Sequence, residues 1–408
     1  MIRSSKISLK FANAGKLSSL CAFIDEYTKV LAQVVDLLWA LPADQRVPAL
    51  LPASIMTVVK PNTWLSARAI QAAGKQASGI VRGTKKKQEQ RRLVYNRLMQ
   101  SGQIKQALRL KKTIDNASIT KPSVQNICPE LDSRFVKVNI NASGHFDAWL
   151  ELQSLGSKLR IKIPFRRTKH LNSLIQSGKL LGGCRLSRDF VALNFDLPDP
   201  IKMQSGSTLG IDIGMNKAFV CSDSQAAAAD VHGHTLQSIC KKLARKRLGS
   251  KAFAAAQQHR TNYVNWSLNK LNFNGVQTIA IENIKHLRRG RKTSRYLSHF
   301  TYTEIFRKIE DRAARSGVQI ATVDPQFTSQ RCSCCGWVRK ANRKGEQFVC
   351  TACGFAADAD LNAAINIRSQ LAELPPLARR LKLGRSGFYW AKVGGVPIVP
   401  LAKKQFAE

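Results

Sequence analysis

Three carboxylates occupy positions where ordinary surface acids are not expected. Residues 209–214 (LGIDIG) and 277–283 (QTIAIEN) read as apolar strands that carry Asp212 and Glu282. Residues 358–367 (DADLNAAINI) read as the start of a helix, with Ala363, Ala364 and Ile367 on the same face as Asp360. Small residues on that face let the helix approach a sheet closely and aim Asp360 across it. A carboxylate set in apolar surroundings is costly unless it is paired or bound to metal. Three of them converging from separate elements can hold two divalent ions roughly 3.5–4 Å apart. One ion then activates the water that attacks phosphorus, and the other stabilises the departing 3′ oxygen. Carboxylate and water ligation suits Mg²⁺. Two neighbouring acids take other roles: Asp358 reads as the helix N-cap, and Asp324 as the end of a strand over 318–323.

The second constellation is sulfur. Of ten cysteines, Cys21, Cys128, Cys184, Cys221 and Cys240 are scattered and read as small buried hydrophobes. The remaining five lie between Cys332 and Cys353, in 332–336 (CSCCG) and 350–354 (CTACG). Cys332 with Cys335, and Cys350 with Cys353, each form a C-x2-C turn whose trailing glycine accepts the tight backbone. Four thiolates close a tetrahedral Zn²⁺ site that is structural, because no position stays open for water. Cys334 is surplus. Residues 340–344 (KANRK) between the knuckles form a basic tip able to touch nucleic acid. The start of the chain shows no secretory signal pattern, so a disulfide framework is not expected.

The elements that must position these groups change character along the chain. Leu20, Ile24, Tyr27, Leu31, Val34 and Leu38 make a helical stripe, ended by a proline-rich break over 42–52. A second helical region opens near Trp64 and runs through 85–92 (KKKQEQRR) to 109–112 (RLKK). From about Arg134 the period falls to two, at 136–140, 149–152, 159–163 and 190–195, after a short strand at 7–11. A helix over 169–176 interrupts these strands, and glycine and asparagine turns such as 141–143 separate them. They suggest a small antiparallel barrel or sheet. Residues 198–207 read as a linker, and an α/β pattern follows. With 65 Lys+Arg against 26 Asp+Glu, the net charge of +39 makes nucleic acid the expected partner, because neutralised phosphates release counterions. No long apolar run or lipid-attachment motif points to a membrane.

Strand acid, strand acid and helix acid spread over about 150 residues suit an RNase H-like site. Actin-like ATPases open on a strand similar to 209–214, but they predict phosphate-binding glycine loops in place of the cysteine insertion. The set formed by 210–214, 281–284, 324–336 (DPQFTSQRCSCCG) and 350–367 resembles the C-terminal domain of TnpB proteins, the transposon-encoded RNA-guided nucleases related to miniature type V CRISPR effectors. The N-terminal half resembles them more by layout, through 163–165, 168–172 and 189–198. The resemblance implies a multidomain α/β plus α+β chain. Residues 1–11 and 121–205 would form an oligonucleotide-binding-like β-barrel (wedge), and 12–120 an inserted helical recognition lobe. Residues 206–327 and 357–372 would form a RuvC nuclease domain, 328–356 the zinc-knuckle insertion, and 373–408 a tail with no assigned role. It further implies a guide RNA and target double-stranded DNA as partners, and cleavage beside a short adjacent motif by one RuvC site. Two catalytic Mg²⁺ and one structural Zn²⁺ would be held, with Asp212, Glu282 and Asp360 as catalytic acids. Arg331, beside the first knuckle, is a candidate contact to the scissile phosphate. A cytoplasmic, nucleoid-associated location is expected, and a homodimer on one RNA stays open. RNA-guided binding without cutting, for repression or transposon targeting, is the alternative.

Three features depart from the family: Cys334, the bland run 225–230 (QAAAAD) where a glycine turn is expected, and the tail with Pro375, Pro376 and residues 384–390.

Overall fold

The predicted stripe is the buried face of α1 (Ala14–Trp39): Leu20, Tyr27, Leu31, Val34 and Leu38 are all sealed from solvent. Asn13 caps its N-terminus by accepting from Lys16 N. The computed structural model describes residues 1–42, 45–116, 120–140, 145–284, 294–372, 374, 386–390, 392–393 and 396–397. The turn at 141–143 and the prolines at 375 and 376 lie outside the described residues. The chain divides into two compact units, Met1–Pro198 and Asp199–Glu408.

In the first unit, α2 (Ala53–Val59) and a helix of 34 residues, α3 (Ala67–Gln100), follow α1. Ser66 caps α3. Its N-terminal part lays Ala69, Ile70, Ala73, Ala77 and Val81 into the core with α1. Beyond Val81 the apolar spacing ends, and Lys86, Lys87, Arg92 and Arg97 are exposed. The predicted second helical region is broken at residues 101–103, where Gly102 turns with φ 68°, and resumes as α4 (Ile104–Asn116).

Antiparallel strands complete this unit in two sheets. β1 (Ile2–Ser8), β2 (Glu130–Leu131), β6 (Lys179–Leu186) and β7 (Phe190–Asp196) form one, ordered β1-β7-β6-β2. β3 (Val136–Asn139), β4 (Ala148–Leu152) and β5 (Ile161–Phe165) form the other. Both sheets contribute to one core, through Ile7, Val191 and Phe195 from the first and Leu150, Ile163 and Phe165 from the second. α5 (Lys169–Ser177), capped by Thr168, occupies the span predicted for the interrupting helix. β6 was not legible as a strand, because Gly182 and Gly183 interrupt its pattern at a register shift between Leu180 and Cys184.

The second unit is built on the order β11-β10-β8-β9: β8 (Ser207–Asp212), β9 (Val220–Cys221), β10 (Val276–Glu282) and β11 (Gln319–Val323). β10 runs parallel to both β8 and β11, and β9 pairs antiparallel to β8. In place of the expected glycine turn after β9, Ser224 adopts φ 72°. One face of the sheet is covered by α6 (Leu236–Ala244), α7 (Lys251–Asn269) and α9 (Tyr302–Arg315), which pack with Ile211, Ile279 and Ile281, and Tyr296 and Leu297 of the short α8 (Arg295–Ser298) join the same core. The opposite face carries α10 (Ala359–Ala372), whose Ile367 packs on Ala280 and Val323. Gly210 is needed here: a Cβ at that position would meet Ala364 O at 2.1 Å. The expected small face of the helix is therefore in close contact with the sheet.

Between β11 and α10 lies a small cysteine-bearing subdomain. β12 (Trp337–Val338), then β13 (Arg343–Lys344), β14 (Gln347–Val349) and β15 (Ala356–Asp358) build it, the last three as one sheet. β16 (Phe388–Tyr389), from the segment that had no assignment, pairs antiparallel with β12.

Candidate functional site

Strand alternation explains how the acids meet. Ile279 and Ile281 point into the helical core, so Ala280 and Glu282 share the face under α10. On the neighbouring strand Gly210 and Asp212 share that same face, and Ile211 is in register with Ile281. Asp212 and Glu282 therefore end adjacent parallel strands, and α10 brings Asp360 to them from its first turn. Asp358 caps that helix as predicted, accepting at Oδ1 from Asp360 N (3.0 Å) and Leu361 N (3.1 Å). Asp324 lies just past β11 and accepts from Gln326 N at 3.0 Å.

Electrostatics mark the convergence. Burial, then the carboxylates of Glu282 and Asp360, push the Asp212 carboxyl up to about 8, against an opposing pull from Arg343. Burial likewise raises Glu282 to about 7, while the Thr328 hydroxyl and Arg343 pull it down. Glu282 is 9% and Asp360 6% exposed, so this concentration of negative charge is poorly relieved by water. An all-oxygen carboxylate set with excess buried charge fits a hard divalent cation such as Mg²⁺.

One cation of the chain already reaches the centre. Arg343 on β13 pairs with Asp360 Oδ1 at 2.7 Å, and Lys217 pairs with Asp358 Oδ2 at 2.6 Å. The sequence alone does not place Arg343 at the acids, because residues 340–344 read simply as a basic tip able to touch nucleic acid. The hairpin turns that residue inward. Its register with Phe348, a buried residue, is the signal that a strand-level reading could have used.

The four predicted ligands Cys332, Cys335, Cys350 and Cys353 have their sulfurs within 4.8 Å of one another, and Cys334 is exposed outside that group. Sγ separations are 3.7 Å for Cys332 to Cys353 and 3.6 Å for Cys335 to Cys350. Zinc–sulfur bonds of about 2.3 Å give a tetrahedron with edges of about 3.8 Å, so the set fits Zn²⁺. Burial raises the Cys332 thiol to about 11 and Cys335 higher still, and a bound cation would favour their thiolates. Gly336 and Gly354 take φ 80° and 77°, the left-handed conformation each knuckle turn requires. Among the described residues this is the one such group gathered so tightly.

Arg331 is placed differently from a substrate-facing cation. It is 6% exposed, and its guanidinium donates to Trp390 O (2.7 Å) and Asn366 Oδ1 (2.6 Å). That placement suits an internal strut.

A mixed sheet ending in two acids, a helix acid across it and a four-cysteine knuckle give the chain two groups whose chemistry suits a metal, one of carboxylates and one of thiolates. Comparison with known proteins narrows the reading. Residues 302–367 match the family model described as Cas12f1-like, TNB domain. A CRISPR-associated endodeoxyribonuclease Cas12f1 of Sulfoacidibacillus thermotolerans is 44% identical over 94 residues, covering 23% of this chain and 22% of that protein. The TnpB-like protein aq_aa05 of Aquifex aeolicus (strain VF5) is 28% identical over 99 residues, covering 22% of this chain and 32% of that protein. A solved structure titled as a Cas12f1-sgRNA-target DNA complex aligns over 86% of this chain and 81% of its own, at TM-score 0.44 and 15% identity. The chain thus aligns with well under two thirds of these curated relatives. Over these segments the chain is similar to Cas12f1 and TnpB-like proteins, the resemblance its motifs implied. Among the described residues no helix is long and apolar enough to cross a membrane.

Proposed function

We propose that this chain is an RNA-guided DNA endonuclease with a single RNase H-like (RuvC) centre made by Asp212, Glu282 and Asp360. One observation carries the reading: two acids on one face of one sheet and a third on the helix covering that face lie far apart in sequence, and two of them raise the pKa of the other. Two Mg²⁺ ions bound there would supply an activated water and a counter-charge for the departing 3′ oxygen. The chain's own residues bind and orient. Thr328 fixes the Glu282 carboxylate by donating its hydroxyl proton to Oε1, and Tyr302 donates to the Glu282 carbonyl. Arg343 offsets part of the negative charge beside Asp360. Its location in the knuckle ties the thiolate site to the acids.

The basic surface of the first unit supports guide RNA and target duplex as partners, with residues 1–11 and 121–205 as the wedge and 12–120 as the recognition lobe. Residues 206–327 and 357–372 make the nuclease domain, with 328–356 as its zinc-bearing insertion. Guided binding without cutting draws on one observation, that Arg343 already neutralises Asp360. The test is to purify the chain with its copurifying RNA, sequence that RNA, and offer a matched duplex with Mg²⁺. Cutting is expected, and it should vanish in Asp212→Ala while duplex binding persists. Binding with no cutting by the parent chain selects the second reading. Undiminished cutting by Asp212→Ala would falsify the assigned centre.

A further inference from the structure

A buried hydrogen-bonded chain runs from Trp390, just past β16, to Glu282. Trp390 is 1% exposed, packs with Val338 and Phe388, and donates its backbone N–H to Gly336 O at 2.9 Å. Its carbonyl, held by those contacts, accepts from Arg331 Nε at 2.7 Å. Arg331 Nη1 donates to Asn366 Oδ1 at 2.6 Å. The Asn366 amide in turn donates to Thr328 O (2.8 Å) and Arg331 O (2.7 Å). Thr328 completes the chain by donating its hydroxyl to Glu282 Oε1. Asn366 is 0% and Thr328 1% exposed, so water has little access to replace a lost partner at either.

We propose that Phe388–Trp390 is a positioning element for the acid centre, holding the Glu282 carboxylate through Arg331, Asn366 and Thr328. The physical reason lies in the cost of an unmade bond. A buried donor that loses its acceptor must move to find another or bear its desolvation penalty. If the Trp390 carbonyl shifts, Arg331 must turn, and its bond to the Asn366 side chain goes with it. The Asn366 amide then no longer fixes the Thr328 backbone, and the Thr328 hydroxyl leaves its alignment with Glu282. Partners that orient a metal ligand from behind influence affinity strongly, commonly by about 10–100-fold. Arg331, Asn366 and Trp390 are thus positioning residues, acting through Thr328 on a group that the functional reading above places at the metal.

The inference rests on that reading for the role of Glu282, so its test uses Mn²⁺ binding, which needs neither guide nor cleavage. Full-length chains loaded with zinc are titrated with Mn²⁺, following free ion by electron paramagnetic resonance, with Asp212→Ala setting the background. Trp390→Ala is expected to weaken the Asp212-dependent Mn²⁺ site about tenfold. Its zinc content should stay at the parent level, and Trp390→Phe should stay within about twofold. Should Trp390→Ala lose zinc or fail to fold, Arg331→Lys decides. It keeps the charge but not the forked geometry, and the same weakening is expected. Adding Thr328→Val to the decisive variant should cause no loss beyond the larger single effect. Parent-like Mn²⁺ affinity in Arg331→Lys, or full additivity with Thr328→Val, overturns the proposal. A parent chain that binds Mn²⁺ but cuts no DNA would sink the nuclease reading and leave this one standing.

Discussion

The thiolate knuckle and the carboxylate centre occupy the same unit, and each gathers groups suited to a metal, but they are assembled in opposite ways. All four sulfurs come from two short turns between Cys332 and Cys353, so local backbone geometry does most of the gathering. The acids come from β8, β10 and α10, and only a folded sheet with a helix packed at Gly210 brings them together. Two of the knuckle's ligands, Cys332 and Cys350, are buried in a small core with Trp337, Phe348 and Ala359, while Cys353 is exposed. The acids carry like charge, and Glu282 and Asp360 push the Asp212 pKa upward. The knuckle should therefore gain stability from its metal, whereas the acid centre gives up stability while it lacks one.

That contrast can be broken most forcefully by exchanging single ligands. Asp212→Asn should reduce cleavage about 10³-fold or more. The same variant should raise the metal-free melting temperature, because a carboxylate in a crowded negative site is removed. The gain should be about 1–2 kcal/mol, less than the full pKa displacement implies, since Asp212 retains some solvent contact. Cys350→Ser should lose cleavage and stability together. Calorimetry beside a cleavage assay separates the two patterns, and a destabilised Asp212→Asn would contradict the contrast.

Zinc removal by a strong chelator comes next. It should open the knuckle, seen as new proteolysis within 340–346, and also weaken Mn²⁺ binding at the acids by loosening the hold of Thr328 on Glu282. Intact Mn²⁺ affinity in the zinc-free chain would show the two sites to be independent.

A smaller effect is expected from pH. Asp212 and Glu282 have folded-state values near 8 and 7, above their ordinary values near 4. The folded protein then holds more protons than the unfolded one between about pH 4 and 8, so metal-free stability falls as pH rises through that window and levels off above it. Melting curves from pH 5 to 8 should decline by several degrees, and Mg²⁺ should flatten the decline. A rising curve would mean that the acids are not crowded. Smallest of all, Cys334→Ser should change neither zinc content nor cleavage beyond measurement error, because that thiol is exposed outside the cluster.

Legibility followed the same division. The spacing of Cys332, Cys335, Cys350 and Cys353 carries its own geometry, because a C-x2-C turn with a following glycine has few conformations. Asp212 and Glu282 stood out because charge interrupts an apolar strand, and Asp360 because alanines follow it at helical spacing. Arg343 was hidden, since its inward direction depends on the register of a two-residue strand with Phe348. β16 was hidden for a related reason. Its partner β12 lies some 50 residues earlier, and neither strand has enough residues to show a period. In the first unit the α1 stripe and most strands were legible, but β6 depends on its neighbours to be a strand at all.

The pairing of β16 with β12 has a consequence in the order of synthesis. Glu282 leaves the ribosome roughly 100 residues before Trp390, an interval of roughly 5–20 s at ordinary elongation rates. During that interval a nascent chain holds Asp212 and Glu282, then its cysteines and last Asp360, without the segment proposed to brace them. A centre built this way comes of age late: on the proposed reading its acids are braced only once residues 388–390 have been made.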